Sequence, residues 1–145
     1  MSEEPVVEVT FGNVLAGIEY EPRPAAYAVI VDERGRVAAV RGVRGYFLPG
    51  GGSLPEETPA DTIRREVLEE LARAVRLRHK IGEAIQYFSA GAEHYRMHAV
   101  FYAADFTSEQ RGEAEHELEW LDETELEGRF FHECHVWALR RLGGI

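Results

Sequence analysis

The 145-residue chain holds a single cysteine, Cys134, so no disulfide can form within it. A lone thiol is most simply kept in a reducing compartment, and the N-terminus does not look like a secretory signal. The expected location is therefore the cytoplasm. No apolar run reaches the roughly 20 residues that a membrane-spanning helix needs, so no membrane partner is expected. Basic residues are also few: 16 Lys and Arg stand against 26 Asp and Glu, a formal net charge of −10. Tight binding of long RNA or DNA calls for a basic patch and is not expected. A small anion could still be met by a few arginines. A structural zinc site is not evident either, because His132, Cys134 and His135 alternate along too short a segment for the usual ligand spacing. With no repeat and no linker, the length suits one domain over residues 1–145.

The acidic residues that are there cluster. A glycine turn, Leu48-Pro49-Gly50-Gly51-Gly52, leads into a stretch carrying Glu57, Arg65, Glu66, Glu69 and Glu70. Thr58 or Asp61 can cap a helix there, Pro59 suits its first turn, and Ile63, Val67 and Leu71 recur every four residues as a buried stripe does. The spacing predicts a helix over 59–73. On it Glu66, Glu69 and Glu70 share an arc away from the apolar stripe, while Glu57 sits in the approaching loop. Like charges so placed repel by about 0.2–0.5 kcal/mol per pair, a penalty that a bound cation removes. Hard divalent cations such as magnesium or manganese take oxygen ligands and are commonly shared between carboxylates and substrate phosphates. An acidic helix face alone would be ordinary solvated surface in so acidic a chain. The glycines, Glu57 and Arg65 at set intervals before it change that weighing.

From Gly51 onward this stretch resembles the Nudix box, G-x5-E-x7-R-E-U-x-E-E-x-G-U with U a bulky apolar residue, with Glu57, Arg65, Glu66, Val67, Glu69 and Glu70 on its positions. The resemblance implies an α/β/α sandwich with a mixed central sheet, and hydrolysis of a pyrophosphate bond in a nucleoside diphosphate linked to another moiety. It implies Mg2+ or Mn2+ held by Glu66, Glu69 and Glu70, with Glu57 contributing or supporting, and Arg65 orienting a glutamate. Gly51 and its neighbours would let the backbone approach the site closely. Three positions depart from the pattern. Ala72 replaces the last glycine, Arg73 replaces the last apolar residue, and Glu56 stands where a glycine commonly precedes the glutamate. Either Ala72 takes a strained left-handed conformation or the helix runs on through Arg73.

Elsewhere, strands are expected at Val6–Phe11 and Leu15–Tyr20, with Pro22-Arg23-Pro24 as an interruption. Further strands are expected at Ala25–Val31, Arg36–Arg41, Tyr46–Leu48, Ile81–Ser89 and Tyr95–Phe106. A C-terminal helix should span about 132–142, with Val136, Leu139 and Leu142 inward and Gly143-Gly144 ending it. The two helices would close opposite faces of the sheet. Residues 1–20 could add an edge strand or meet a second copy in a homodimer.

The segment 112–120 resembles the acidic stretch before a tryptophan-containing strand in many Nudix proteins. That likeness makes Glu117 the first choice for a further metal contact or catalytic base, with Glu113 and Glu115 as alternatives; the base could equally be a helix glutamate such as Glu69 or Glu70, or partly the metal itself. The other reading is a flexible acidic loop. For a base or nucleotide the aromatic candidates are Tyr87, Phe88, Tyr95 and Tyr102. Tyr87 stands about fifteen residues past the box, where it looks like the tyrosine of dinucleoside-polyphosphate hydrolases. Arg23, Arg41, Arg44 and Arg96 could neutralise phosphates, Arg44 being best placed by sequence. His94, His98 and His116 have no identifiable partner and are expected to be structural. A small nucleotide is the expected partner: a nucleoside triphosphate, a dinucleoside polyphosphate or a nucleotide sugar. The alternative is a non-catalytic, nucleotide-binding regulatory module on the same fold.

Overall fold

From Ala25 onward strand β2 (Glu21–Val29) buries both of its faces, which explains why helices cover the sheet on two sides there. Ala25, Tyr27 and Val29 point into one apolar cluster and Ala26 and Ala28 into another. The first cluster is closed by Cys134, Ala138 and Leu139 of helix α2 (Glu133–Arg141), the second by Ile63, Val67 and Leu71 of helix α1 (Pro59–Leu71). The result is an α/β/α sandwich. The computed structural model describes residues 6–142.

The central sheet is mixed and five-stranded. Its order is β1 (Val9–Phe11), β6 (Val75–Ala90), β7 (Glu93–Phe106), β2 and β5 (Gly50–Gly52). β1 runs parallel to β6 and β2 parallel to β7, whereas the β6–β7 and β2–β5 pairs are antiparallel. A second sheet of three strands places β3 (Val37–Gly42) between β4 (Gly45–Phe47) and β8 (Leu118–Leu121).

Several boundaries differ from expectation for identifiable reasons. Leu15–Tyr20 is a loop, not a strand; Val14 and Leu15 are exposed, and the Tyr20 hydroxyl ties the loop shut by donating to Asn13 O and accepting from Leu15 N, each at 3.1 Å. Pro22 and Pro24 do not interrupt β2. They stand in register with Arg96 and His98 of β7; on the other side β5 ends at Gly52, and past it Pro24 serves as an acceptor, its carbonyl taking Ser53 N at 2.9 Å, so its missing N–H breaks no strand hydrogen bond there. β6 begins at Val75, earlier than Ile81, and absorbs register shifts between Leu77 and Gly82. Helix α1 stops at Leu71. Ala72 takes the left-handed conformation, φ 54°, and its N–H returns to Leu68 O. In α2 the buried face is Cys134, His135, Ala138 and Leu139, with Val136 and Leu142 only half-buried, so the helix is rotated relative to the expected stripe. Gly143 and Gly144 lie outside the described residues.

Candidate active site

The glycine turn and α1 meet because β5 is built from glycine. Gly50 has φ 142°, and a Cβ on it would lie 2.2 Å from Ala26 O, so only glycine allows β5 to close on β2. At Gly51 a Cβ would lie 2.8 Å from the Glu66 carboxylate carbon. The strand therefore presents bare backbone to the acidic helix face.

Helix α1 starts at Thr58, whose hydroxyl accepts from Asp61 N at 3.1 Å while the Asp61 carboxylate accepts from Thr58 N at 3.1 Å, a reciprocal capping box. The preceding loop is held by Glu57, which accepts from Leu54 N at 2.7 Å. Arg65 grips both oxygens of Glu57, Nε to Oε2 at 2.7 Å and Nη2 to Oε1 at 2.9 Å. Its Nη1 reaches Glu66 at 2.8 Å and Glu69 at 3.3 Å, and Nη2 also donates to Gly52 O at 2.9 Å. One guanidinium thus organises loop, strand and helix. Its hydrogen bond holds Glu57 down at a pKa of about 2.

Glu70 is placed differently. It accepts from Gly50 N at 3.1 Å and has no arginine contact among the described interactions. Burial, reinforced by the charges of Glu66, Glu115 and Glu69, pushes its pKa up to about 8. Burial also raises Glu66, against the pull of Arg65. The segment after α1 folds back onto this end of the helix, with His116 N donating to Glu70 O at 2.9 Å and Glu115 N to Glu69 O at 3.4 Å. Of the three glutamates between Gly112 and Leu118, Glu115 is the one whose charge reaches Glu66 and Glu70. Glu117, the first choice from sequence, is exposed, as are Glu113 and Glu115, and none of the three lines the adjoining cavity.

Two of the α1 carboxylates border a cavity of about 450 Å3, within the range of small-molecule sites. Glu66, Glu70 and Gly50–Gly52 form one side, and Phe47, Phe88, Tyr95 and Phe131 form aromatic walls. Arg23 and Arg44 also line it. Arg23 stacks 5.8 Å from the Tyr95 ring centre, and no carboxylate pairs with it among the described residues. Arg44 is already engaged, donating to Ser89 O at 2.8 Å and lying 5.7 Å from the Phe131 ring centre. Tyr87 is not a lining residue: its hydroxyl accepts from Arg96 at 3.2 Å and its ring meets Tyr20 on the other side of the β6–β7 hairpin. Arg41 is committed to Tyr46 and Glu119. Of the histidines, His98 pairs with buried Glu83 at 2.6 Å, His94 bonds Ser89 at 2.7 Å, and His116 borders the cavity. Phe131 and His132, in the turn before α2, were not anticipated; no local pattern in the sequence marks them.

The donor set suits a hard divalent cation, being all carboxylate oxygen with its charge crowded and partly desolvated. Among the described residues, however, no three His, Cys, Asp or Glu side chains already converge as a metal-binding group. Glu57, Glu66 and Glu69 are drawn to Arg65 instead.

The family model described as NUDIX domain matches residues 21–139. A crystal structure of a MutT NUDIX hydrolase from Burkholderia pseudomallei is similar at 27% identity and TM-score 0.69, covering 84% of this chain and 98% of that one. A MutT protein from Methanosarcina mazei Go1 shares the fold at 20% identity and TM-score 0.67, covering 88% and 96%. A NUDIX hydrolase from Nitrosomonas europaea does so at 16% identity and TM-score 0.69, covering 85% and 89%. Comparison with curated proteins finds no match.

Proposed function

The chain belongs to the NUDIX domain family, and on that premise we propose that it is a divalent-cation-dependent hydrolase that splits a pyrophosphate bond in a nucleoside diphosphate linked to another moiety. The observation that carries this reading is that Glu66 and Glu70 border the same cavity as Phe47, Phe88, Tyr95, Phe131 and Arg23. Metal-binding carboxylates, aromatic faces for a base and a cation for phosphate are what such a substrate requires in one place. Glu66, Glu69 and Glu70 would hold Mg2+ or Mn2+, with Glu57 kept in place through Arg65. A bound cation of this kind neutralises phosphate charge and lowers the pKa of an attacking water.

Within that chemistry the chain's own residues divide the work. Arg65 fixes the loop and helix carboxylates relative to each other, as second partners of metal ligands do. Arg23, which among the described residues has only the Tyr95 ring as a partner, would meet phosphate charge, and Arg44 would do so once it leaves Ser89 O. Glu115, whose charge acts on Glu66 and Glu70, would be the acid of its segment to take a proton or add a metal contact, with Glu117 the alternative. Gly51 lets the substrate and Glu66 share space that a side chain would fill. Tyr87 lies outside the cavity, so its hint toward dinucleoside polyphosphates loses its support, and nucleoside triphosphates and nucleotide sugars stand equally.

A small nucleotide partner and a cytoplasmic setting go with this reading. It draws on the acidic net charge of −10, the single cysteine, and the lack of any described helix long and apolar enough to cross a membrane. A homodimer through residues 6–20 is compatible with the exposed Val14 and Leu15 there.

The test is chromatographic: nucleoside triphosphates, dinucleoside polyphosphates and nucleotide sugars are each incubated with Mg2+ or Mn2+, alongside a metal-free lane and Glu70→Gln. Cleavage of one class, lost in both controls, is the expected result. Cleavage of none, with metal-dependent nucleotide binding intact, would replace the enzyme with the non-catalytic regulatory module.

A further inference from the structure

The β6–β7 hairpin overshoots the rest of the sheet, and the N-terminal arm backs it. β1 pairs with β6 only as far as Phe11↔Gln86. Beyond that rung the chain turns at Gly12, φ 92°, pressed so closely on Tyr87 that a Cβ there would lie 2.3 Å from its carbonyl oxygen. The loop that follows ends at Tyr20, whose hydroxyl bonds Asn13 O and Leu15 N close the loop on itself. Its ring lies edge-on to Tyr87, centres 5.0 Å apart, and edge-on to His94 at 5.8 Å.

Strand alternation links this backing to the cavity. Phe88 and Tyr95 are one cross-strand pair; Tyr87 with Arg96 and Ser89 with His94 are the neighbouring pairs and face the opposite side. Phe88 and Tyr95 stack at 5.2 Å as part of the cavity wall, while Tyr87 and His94 receive Tyr20. His94 in turn bonds the Ser89 hydroxyl at 2.7 Å, and the Ser89 carbonyl holds Arg44 at 2.8 Å beside Phe131. Every contact from Tyr20 to Arg44 is made by a side chain or carbonyl of the same hairpin end.

We infer that Tyr20 is a positioning residue for substrate: by bracing Tyr87 and His94 from behind, it sets the aromatic wall of Phe88 and Tyr95 and the station of Arg44. It touches neither the cavity nor the carboxylates of α1, so it governs how well the nucleotide is held and leaves the bond-breaking step alone. Aromatic contacts of this kind are worth enough to change occupancy of a hairpin position severalfold. The inference rests on the proposed function for its kinetic readout and on the fold alone for its structural one.

The experiment compares Tyr20→Ala and Tyr20→Phe with the unaltered protein, using the nucleotide cleaved in the product panel and amide hydrogen exchange across residues 87–96. Tyr20→Ala is expected to raise KM about tenfold with kcat within about twofold, and to speed exchange in 87–96 while exchange in α1 stays unchanged. Tyr20→Phe keeps both ring contacts and should stay within about threefold in KM. A Tyr20→Ala protein with unaltered KM, or one whose kcat falls while KM holds, overturns the inference. If the unaltered protein cleaves no nucleotide, the proposed function fails separately. Exchange then decides: unchanged rates in 87–96 of Tyr20→Ala sink the bracing role, and selectively faster rates uphold it.

Discussion

Gly51 lies directly against Glu66: a Cβ at position 51 would stand 2.8 Å from the carboxylate carbon and 3.0 Å from each oxygen. The obstructing atoms are the far end of a flexible side chain, so the fold can yield by swinging Glu66 aside. Gly51→Ala is therefore expected to lower metal-dependent turnover by about 10- to 100-fold while the melting temperature moves by no more than a few degrees. Thermal unfolding and steady-state kinetics on the same preparation check both halves.

Arg65 makes a two-pronged contact with Glu57 and a third with Glu66 through a planar fork. A lysine has the charge without the fork. Arg65→Lys should weaken Mn2+ affinity by about 10- to 100-fold, as losing the partner of a metal ligand commonly does. Calorimetric titration of Mn2+ measures it.

Among the described residues two non-glycines have positive φ, Glu56 at 69° and Ala72 at 54°. They are the two positions where the Nudix pattern has, or commonly has, glycine. Left-handed backbone costs an L-residue about 1–2 kcal/mol, part of which glycine returns through its looser unfolded state. Glu56→Gly and Ala72→Gly should each stabilise by about 0.5–1 kcal/mol, read from chemical denaturation at constant slope.

His132 and His135 are buried, each with one ring nitrogen that has no hydrogen-bond partner among the described residues. Burial, helped by the charge of Arg23, pushes His132 down to about 4 from its usual 6.5, and burial takes His135 well below its usual value. The unfolded chain then binds more protons than the folded one between those values. The histidines' share of stability is full above pH 6.5 and falls as pH drops toward 4, while Glu70, held up at about 8, contributes in the opposite direction over the same range. Equilibrium unfolding of the unaltered protein and of His132→Asn, which does not titrate there, separates the two: the stability of the unaltered protein relative to the variant should fall as pH drops from 6.5 toward 4.

The site was legible where geometry is local. Helix spacing sets Arg65, Glu66 and Glu70 relative to one another, and Glu57 stands in the loop just before that helix. Strand faces were not legible. Tyr87 and Phe88 are adjacent, and which of them meets the cavity depends on register against β7, where a one-residue shift exchanges the faces. Glu115 could not be separated from Glu117 because residues 112–117 have no periodicity; their placement comes from backbone bonds to Glu69 and Glu70. Arg44 is nearest the glycine turn in sequence, yet it is tied to Ser89 O, whereas Arg23, which lines the cavity from the β2 strand, has no hydrogen-bond partner for its side chain among the described residues. Phe131 arrives from 80 residues beyond Gly51, a distance that no sequence pattern bridges.

The most direct test of the central claim is Mn2+ binding followed by electron paramagnetic resonance, comparing the unaltered protein with Glu66→Gln and Glu70→Gln. The account predicts bound Mn2+ in the unaltered protein and at least about a tenfold loss of affinity in each variant, with melting temperatures held. Equal Mn2+ affinity in all three proteins would contradict it.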